Sequence, residues 1–577
     1  MRPRASDNYI YFSVNRLRFL YGLLLVVFLI FVVRLFYLQV IKHDFYRKSA
    51  LAGQFKEYEI PAERGIILAQ DGNNAVPIVL NEQVYTVFAD PKFITNPKDS
   101  ADKLRGVIGG DQAKYEELMK KNSRYAILAK KINKENAKKI DELKIKGLGT
   151  REVSQRVYPQ GNMGSQLLGF VDDEGNGKYG IEQFLDKELR GQKGQLRAIT
   201  DAQGIPLVSN DDNVLIEPKN GDRVTLTIDI SMQKRAEDLL KKHLEEVKSD
   251  SGSLVIMDPN TGEVKAMANY PTYNPAEFFN VENPKLFTNS IVSEPLEVGS
   301  IMKTLTVAAG LDSGAIGVNT TYYDPSFYKI GDATVTNVEE DGGAQTRSIP
   351  DILSFSLNTG ATYILMQMGG GEINETARVK WYDYLTNHFM FGKQTGIEQG
   401  YEAEGFVASP TDGFGLNIQY ANMAFGQGIN ITPIQMLSAF SATINGGTYY
   451  QPHLVETTDK KVVKEGIISP GLSDIMRGMH ENSVRRNYTF LQKGQEYKVG
   501  GKTGTAEIAK PEGGYYDDLY NGTFVGYIGG DRPEYAIMVT INQPKIDGYA
   551  GRVAAAPLFG KAVDMLIGNY AVNRISQ

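Results

Sequence analysis

Three short motifs in this chain carry groups able to run acyl transfer at a serine. "GSIMK" sets the hydroxyl of Ser300 three residues ahead of the amine of Lys303, and "SLN" sets the hydroxyl of Ser356 beside the amide of Asn358. "KTGT" supplies Lys502, Thr503, Gly504 and Thr505. A serine attacks a carbonyl once a neighbouring base takes its proton, and a neutral lysine amine is such a base. An exposed ammonium is not, since its ordinary pKa is ~10.4, so the chemistry requires apolar surroundings or a second cation close by. Met302 and Leu305 offer the first and Lys502 the second.

Spacing alone does not single out Ser300. Ser-x-x-Lys also occurs at Ser100 and Lys103, at Ser231 and Lys234, and at Ser326 and Lys329. What separates Ser300 is the element that must hold it. Gly299 precedes it, and "IMKTLTVAAGL" is a run of good helix formers with Ile301, Leu305, Ala308 and Ala309 on one stripe. On a helix, positions three apart share a face, so Lys303 comes within reach of Ser300. Ser326 sits among Pro, Gly and β-branched residues that predict a loop or strand, where positions three apart face opposite ways.

The other two motifs need different elements. A break at Thr359 and Gly360 is expected to project Ser356, as a proton relay, and Asn358, as an amide clamp, into one cleft. Other copies of Ser-x-Asn begin at Ser6 and Ser13, ahead of the apolar N-terminal segment, and read as chance. "KTGT" follows the strand-like "EYKV", which puts Thr503 and Thr505 on one face and Lys502 and Gly504 on the other. Gly504 would leave room for the backbone of a peptide docked on an edge strand.

Composition excludes other chemistries. With 62 basic against 68 acidic residues there is no basic field, and no nucleic-acid partner is expected. The chain has no cysteine, which removes disulfides, thiolate nucleophiles and cysteine metal sites. His43, His243, His388, His453 and His480 are scattered without metal-ligand spacing, so solvated or core-edge roles are expected, with no metal and no cofactor.

Phe19 to Ile41 is apolar but for Arg34 and Gln39, long enough to cross a bilayer core of ~20 residues. Arg2, Arg4, Arg16 and Arg18 ahead of it favour a cytoplasmic N-terminus, and no small-x-small cleavage site follows. We read residues 1–18 as a cytoplasmic tail, 19–41 as an uncleaved single-pass anchor in the plasma (inner) membrane, and the remainder as extracytoplasmic. Residues 42–222 mix short β-branched runs such as "VYTVFADP" with charged helical stretches such as "NKENAKKIDELK", an irregular α+β module ending at the polar break "LIEPKNGDRV". Residues 223–577 begin with a strand ("VTLTI"), a helix and a hairpin and end with a hairpin and a helix, which predicts one antiparallel sheet built from both chain ends with helical material inserted between.

With these motifs in this order, the chain resembles the class B penicillin-binding proteins, membrane-anchored D,D-transpeptidases that cross-link peptidoglycan. "IPAERGIILAQDGN" is similar to the family's membrane-proximal segment, "RVYPQGNMGSQLLGFVDDEGNGKYGIEQFLDKELRG" to its pedestal domain, and "VIMDPNTGEVKAMANYPTYNP" to the first hairpin of its transpeptidase domain. The resemblance implies an α+β multidomain chain: one transmembrane helix, an elongated pedestal (dimerisation-like) domain over 42–222, and a transpeptidase domain over 223–577 with a helical subdomain.

It also implies roles. Ser300 would attack the penultimate D-Ala carbonyl of a stem pentapeptide, with Lys303 taking its proton. Ser356 and Lys502 would pass a proton to the leaving amine, and Asn358 would orient the donor. Backbone N–H groups of Ser300 and Thr505 would form the oxyanion hole, while Lys502, Thr503 and Thr505 hold the terminal carboxylate. The implied partners are stem peptides, β-lactams, the bilayer, a polytopic glycan polymerase and other cell-wall machinery. A septal role is favoured over elongation, and a D,D-carboxypeptidase side activity is compatible with the chemistry.

Departures and alternatives remain open. Val298 stands where the family usually has Pro, and Leu357 where class A β-lactamases carry Asp. A serine β-lactamase would need a deacylating base, and no Glu-x-x-Leu-Asn lies within 359–501. A non-catalytic scaffold or β-lactam sensor would have no need of Ser300, Lys303, Ser356, Asn358 and Lys502 together.

Overall fold

The computed structural model describes residues 8–46, 55–199, 214–337, 342–510 and 514–576. Ser6, Arg2 and Arg4 lie outside the described residues. The chain forms two compact units, Met1–Glu63 with Gly191–Asn220, and Arg64–Arg190 with Gly221–Gln577.

In the first unit a helix over Asn8–Phe36 runs into a π-helical turn at Tyr37–Ile41. Arg16–Ile41 is long and apolar enough to cross a membrane, and none of its side chains is buried. A three-stranded antiparallel sheet joins Phe55–Ile60 and Val214–Ile216 to either side of Gly194–Ile199.

The second unit starts with a five-stranded sheet centred on the long strand Asn74–Ala89, which pairs with Ile67–Asp71, Ala126–Ile132 and Leu148–Val157. Its helix Lys134–Glu142, expected from "NKENAKKIDELK", starts where the Asn133 side chain accepts from Asn136 N. The strand Val224–Asp229 joins this sheet, parallel to Ile67–Asp71, instead of opening the C-terminal sheet. Its apolar pattern suits either sheet, and only the long-range partner decides.

A buried ionic cluster ties this part together. Glu182, fully buried, receives Arg64 Nε and Arg156 Nε at 2.7 Å each. Arg64 Nη1 also reaches Asp186 at 2.9 Å, and Arg156 Nη1 reaches Asn81 at 2.8 Å. Charges so buried persist because each is paired and hydrogen-bonded.

The C-terminal part follows the pattern read from the sequence. Helix α1 (Ile230–Glu246) leads into strands β1 (Ser251–Met257) and β2 (Val264–Tyr270). Helices α2 (Lys303–Asp312), α3 (Ile349–Ser354), α4 (Asn358–Met368) and α5 (Pro470–Asn487) follow. Strands β3 (Lys498–Ala509), β4 (Tyr515–Gly529) and β5 (Pro533–Asn542) and helix α6 (Ala556–Asn569) close the chain. The sheet order is β2-β1-β5-β4-β3, antiparallel throughout, with β3 at the edge. Leu254 and Ile256 of β1 pack into a core with α1 and α6, while Val255 and Met257 point into a second core shared with α2, α4 and α5. Because both faces are covered, the strand reads as a continuous apolar run.

Candidate active site

Ser300 lies on a single 3₁₀ turn, Gly299–Met302, that passes directly into α2. The expected apolar stripe is an understatement: every residue from Lys303 to Leu311 is buried, so α2 is a central helix enclosed on all sides. Several contacts pin the turn. Gly299 N donates to Gly426 O at 3.0 Å, and Thr523 Oγ1 donates to Val298 O at 2.9 Å. Gly299 sits at φ +62, and a Cβ there would lie 2.6 Å from Thr505 O, so only glycine lets the serine turn meet the edge strand.

Lys303 is fully buried with its Nζ among oxygens: 2.9 Å from Ser300 Oγ, 2.5 Å from Ser356 O, 2.7 Å from Asn358 Oδ1 and 3.3 Å from Ser356 Oγ. Ser356 O and Asn358 Oδ1 can only accept, so two nitrogen hydrogens point at them. The third tetrahedral position, hydrogen or lone pair, is directed at Ser300 Oγ. Lys502, 3% exposed on β3, donates from Nζ to Ser356 Oγ and to Thr503 O, each at 3.0 Å. Ser356 Oγ thus stands between two lysines.

The break that presents Ser356 lies one step earlier than expected. It falls between α3 and α4, with Ser356 itself at φ +58, and Thr359 and Gly360 are inside α4. Thr359 Oγ1 donates to Asp324 Oδ2 at 2.8 Å, and a Cβ on Gly360 would lie 2.6 Å from Ile352 Cγ1. Both residues answer packing needs that look like turn chemistry in one dimension. Asn358 opens α4; its Nδ2 donates to Thr336 O at 2.9 Å while its Oδ1 faces Lys303, which fixes the amide orientation.

Gly504 does not open the cleft to a docked peptide, as its lack of a side chain led us to expect. It faces away from the cleft, where an added Cβ would be 2.3 Å from Thr523 Oγ1 and 2.4 Å from Val298 O. The bare backbone makes room for the serine turn behind the strand. Thr503 and Thr505 do face the cleft, with Thr503 Oγ1 3.0 Å from Tyr488 OH and Thr505 Oγ1 accepting from Gly551 N at 3.0 Å. Ser300, Ser356, Asn358, Thr503 and Thr505 line one cleft of about 490 Å³, together with Thr334, Thr336, Gln427, Glu507 and Tyr549.

Two features escaped the sequence reading. His480 on α5 is fully buried against Phe440, with both ring nitrogens lacking partners among the described residues. Burial first, and the nearby Lys502 second, push its pKa down to about 3. The solvated or core-edge expectation fails also for His243 and His453, 3% and 2% exposed, whose ring nitrogens meet backbone carbonyls. Second, Glu297 accepts from Gly428 N at 2.8 Å and Tyr515 OH at 3.1 Å, and Glu507 accepts from Gln427 Nε2 at 3.0 Å. Burial chiefly, with a smaller push from Glu507, raises the Glu297 pKa. No signal short of the fold brings these two carboxylates together. Among the described residues no His, Asp or Glu cluster could hold a metal.

The sequence profile of the penicillin binding protein transpeptidase domain matches residues 252–564, more than half of the chain, and that of the penicillin-binding protein dimerisation domain matches residues 59–226. The chain belongs to the class B penicillin-binding proteins. Its relatives include stage V sporulation protein D of Bacillus subtilis, 31% identical over 94% of this chain and 84% of that protein. Another is the peptidoglycan D,D-transpeptidase FtsI of Escherichia coli K12, 26% identical over 97% and 92%. Among solved structures, penicillin binding protein 3 of Mycobacterium tuberculosis in complex with aztreonam superposes with a TM-score of 0.66 at 22% identity, covering 89% of this chain and 98% of that one. This class B penicillin-binding protein is accordingly a peptidoglycan D,D-transpeptidase with an N-terminal apolar helix, a pedestal and a transpeptidase domain.

Proposed function

We propose that Ser300 is the acyl-accepting nucleophile and Lys303 its base. The observation that carries this is the Lys303 Nζ geometry, with two obligate acceptors taking two hydrogens and the remaining position aimed at Ser300 Oγ at 2.9 Å. With a neutral amine that position is a lone pair and Ser300 donates into it. Oγ then attacks the penultimate D-Ala carbonyl of the donor stem. The proton crosses Lys303, Ser356 and Lys502 to the nitrogen of the departing terminal D-Ala, and an amine of a second stem later attacks the ester and regenerates Ser300. The backbone N–H groups of Ser300 and Thr505 stabilise the oxyanion, a reading supported by the close packing of Gly299 on Thr505. Lys502, Thr503 and Thr505 bind the terminal carboxylate. Asn358 orients the donor with the second hydrogen of its amide.

β-Lactams mimic the donor, as the aztreonam complex of the Mycobacterium tuberculosis protein supports, and should acylate the same serine. A labelled penicillin incubated with the detergent-solubilised protein should leave a lasting adduct on the peptide holding Ser300, absent in Ser300→Ala. An adduct elsewhere, or none on folded protein, would sink the assignment; rapid turnover of label would favour a β-lactamase.

Residues 42–222 serve as pedestal and 223–577 as transpeptidase domain in this reading, with 19–41, inside the apolar helical stretch Arg16–Ile41, a single-pass anchor whose N-terminus is cytoplasmic. The polymerised glycan comes from a polytopic partner. We place the enzyme in septal wall synthesis, supported by its likeness to FtsI across 97% of the chain. The likeness to a sporulation protein supports a second setting, wall made during spore formation. A fluorescent fusion that tracks the lateral wall, with depletion giving rounded cells, would overturn both in favour of elongation.

A further inference from the structure

The substrate cleft is charged with opposite signs in different places. Lys502 is buried behind Ser356, whereas Glu507 is the charged residue among the described residues of the cleft lining. Gln427 Nε2 donates to the Glu507 carboxylate at 3.0 Å and holds it at the cleft, and Glu297, whose Oε1 and Oε2 lie 3.1 and 3.2 Å from Tyr515 OH, adds a second carboxylate nearby.

The position of Glu507 along the strand is what gives it meaning. Thr503, Thr505 and Glu507 alternate with the buried Lys502, Gly504 and Ala506, so all three present to the cleft. A peptide docked in extended form on this edge strand, with its terminal carboxylate at Thr503 and its reacting carbonyl at Thr505, runs on past Glu507. At ~3.3 Å per strand residue, Glu507 lies about 7 Å beyond Thr505, beside the donor residue that precedes the two terminal alanines.

We infer that Glu507 is a specificity-determining residue that selects donors bearing an ammonium group on that preceding residue, and disfavours neutral or anionic ones. The inference rests on the acyl-serine reading above. A carboxylate in a partly desolvated cleft attracts an ammonium and repels a second carboxylate with little screening, which favours the cationic ligand in both directions of the comparison.

Three penicillins test it, because ampicillin, benzylpenicillin and carbenicillin share one nucleus and one phenyl group and carry ammonium, hydrogen or carboxylate on the side-chain carbon. Second-order acylation rates would be measured on the full chain in detergent at low salt and about pH 6, where an α-amino group is charged. Ampicillin should outpace carbenicillin by about tenfold after normalisation to each drug's rate on Glu507→Gln, where the charge preference collapses. Glu507→Lys should invert the order, and raising salt should shrink the native ratio. Benzylpenicillin is the denominator in every protein, so a general loss of folding or reactivity cancels. Identical ratios in the native protein, Glu507→Gln and Glu507→Lys would overturn the inference. So would donor thioesters that are consumed equally with a free or an acetylated lysine before the terminal alanines. Failure of all three penicillins to acylate folded protein would instead remove the acyl-serine reading, and this inference with it.

Discussion

Ser100 with Lys103 and Ser300 with Lys303 have the same spacing, and both stand at the start of a helical segment, yet their surroundings differ completely. In Pro97–Ile108, Lys103 is half-exposed and its Nζ turns back to Asp99 at 2.7 Å. Lys234, three residues after Ser231 on α1, likewise pairs with Asp238 at the surface. Lys303 is instead sealed by α2's neighbours against Ser300, Ser356 and Asn358. Helical spacing supplies proximity in all three. Enclosure decides whether a lysine can act as a base or stays a solvated cation, because water stabilises the ammonium wherever it can reach it.

The largest expected effect breaks that contrast at its centre. Lys303→Ala should slow penicillin acylation by about 10³-fold, the usual weight of a positioned base, while Lys103→Ala and Lys234→Ala leave the rate within about twofold. Rapid-quench labelling of the three variants checks this, and a surface lysine that mattered as much would dissolve the comparison.

A second contrast sets buried ion clusters against exposed pairs. Glu182→Ala strands Arg64 and Arg156 without their shared carboxylate and should cost about 3–5 kcal/mol in denaturant unfolding. Asp99→Ala, which frees only Lys103, should cost about 0.5 kcal/mol or less.

Two glycines differ in the same way, one enclosed and one in open space. Gly504→Ala drives a methyl into Thr523 and Val298 O and should lower stability by about 1–3 kcal/mol while slowing acylation. Gly106→Ala, on the helix of Ser100 and Lys103 with open space around it, should raise stability by up to about 1 kcal/mol. Thermal melts of the pair should move in opposite directions.

The most gradual effect is a pH slope. His480 has a folded pKa of about 3, below its unfolded ~6.5, so the unfolded chain binds the extra proton between those values. Its contribution is neutral above ~6.5 and destabilising as the pH falls toward 3, by up to about 1.4 kcal/mol per pH unit. His480→Leu should flatten that part of the curve; an unchanged slope in denaturant titrations at about pH 7, 6 and 5 would show that the ring is already solvated.

Much of the C-terminal sheet was legible because its strands and terminal helices carry their own periodicity. "SLVIMDPNTGEVKAMAN" reads as a hairpin in any context that buries both faces. The misreadings share one cause. Thr359 and Gly360 look like a turn but sit inside α4, since their demands come from Asp324, Ile352 and Tyr322. Val224–Asp229 looks like the opening of the C-terminal sheet but pairs with Ile67–Asp71. His480 reads as an ordinary polar residue until Phe440 and the Lys502 strand close over it. In each case the deciding neighbour is distant in the chain.

By itself the sequence determined what local pattern can carry: the family, an apolar segment long enough to span a bilayer, and which hydroxyl and amine groups are available at helical or strand spacing. Only the tertiary structure decided that Lys303 loses its water, that Ser356 Oγ stands between two lysines, that Gly504 serves the serine turn from behind, and that Glu507 lines the cleft with Glu297 near it. The physical reason is range. Hydrogen-bond spacing along a helix or strand depends on a few consecutive residues, whereas desolvation and charge coupling depend on everything packed around an atom.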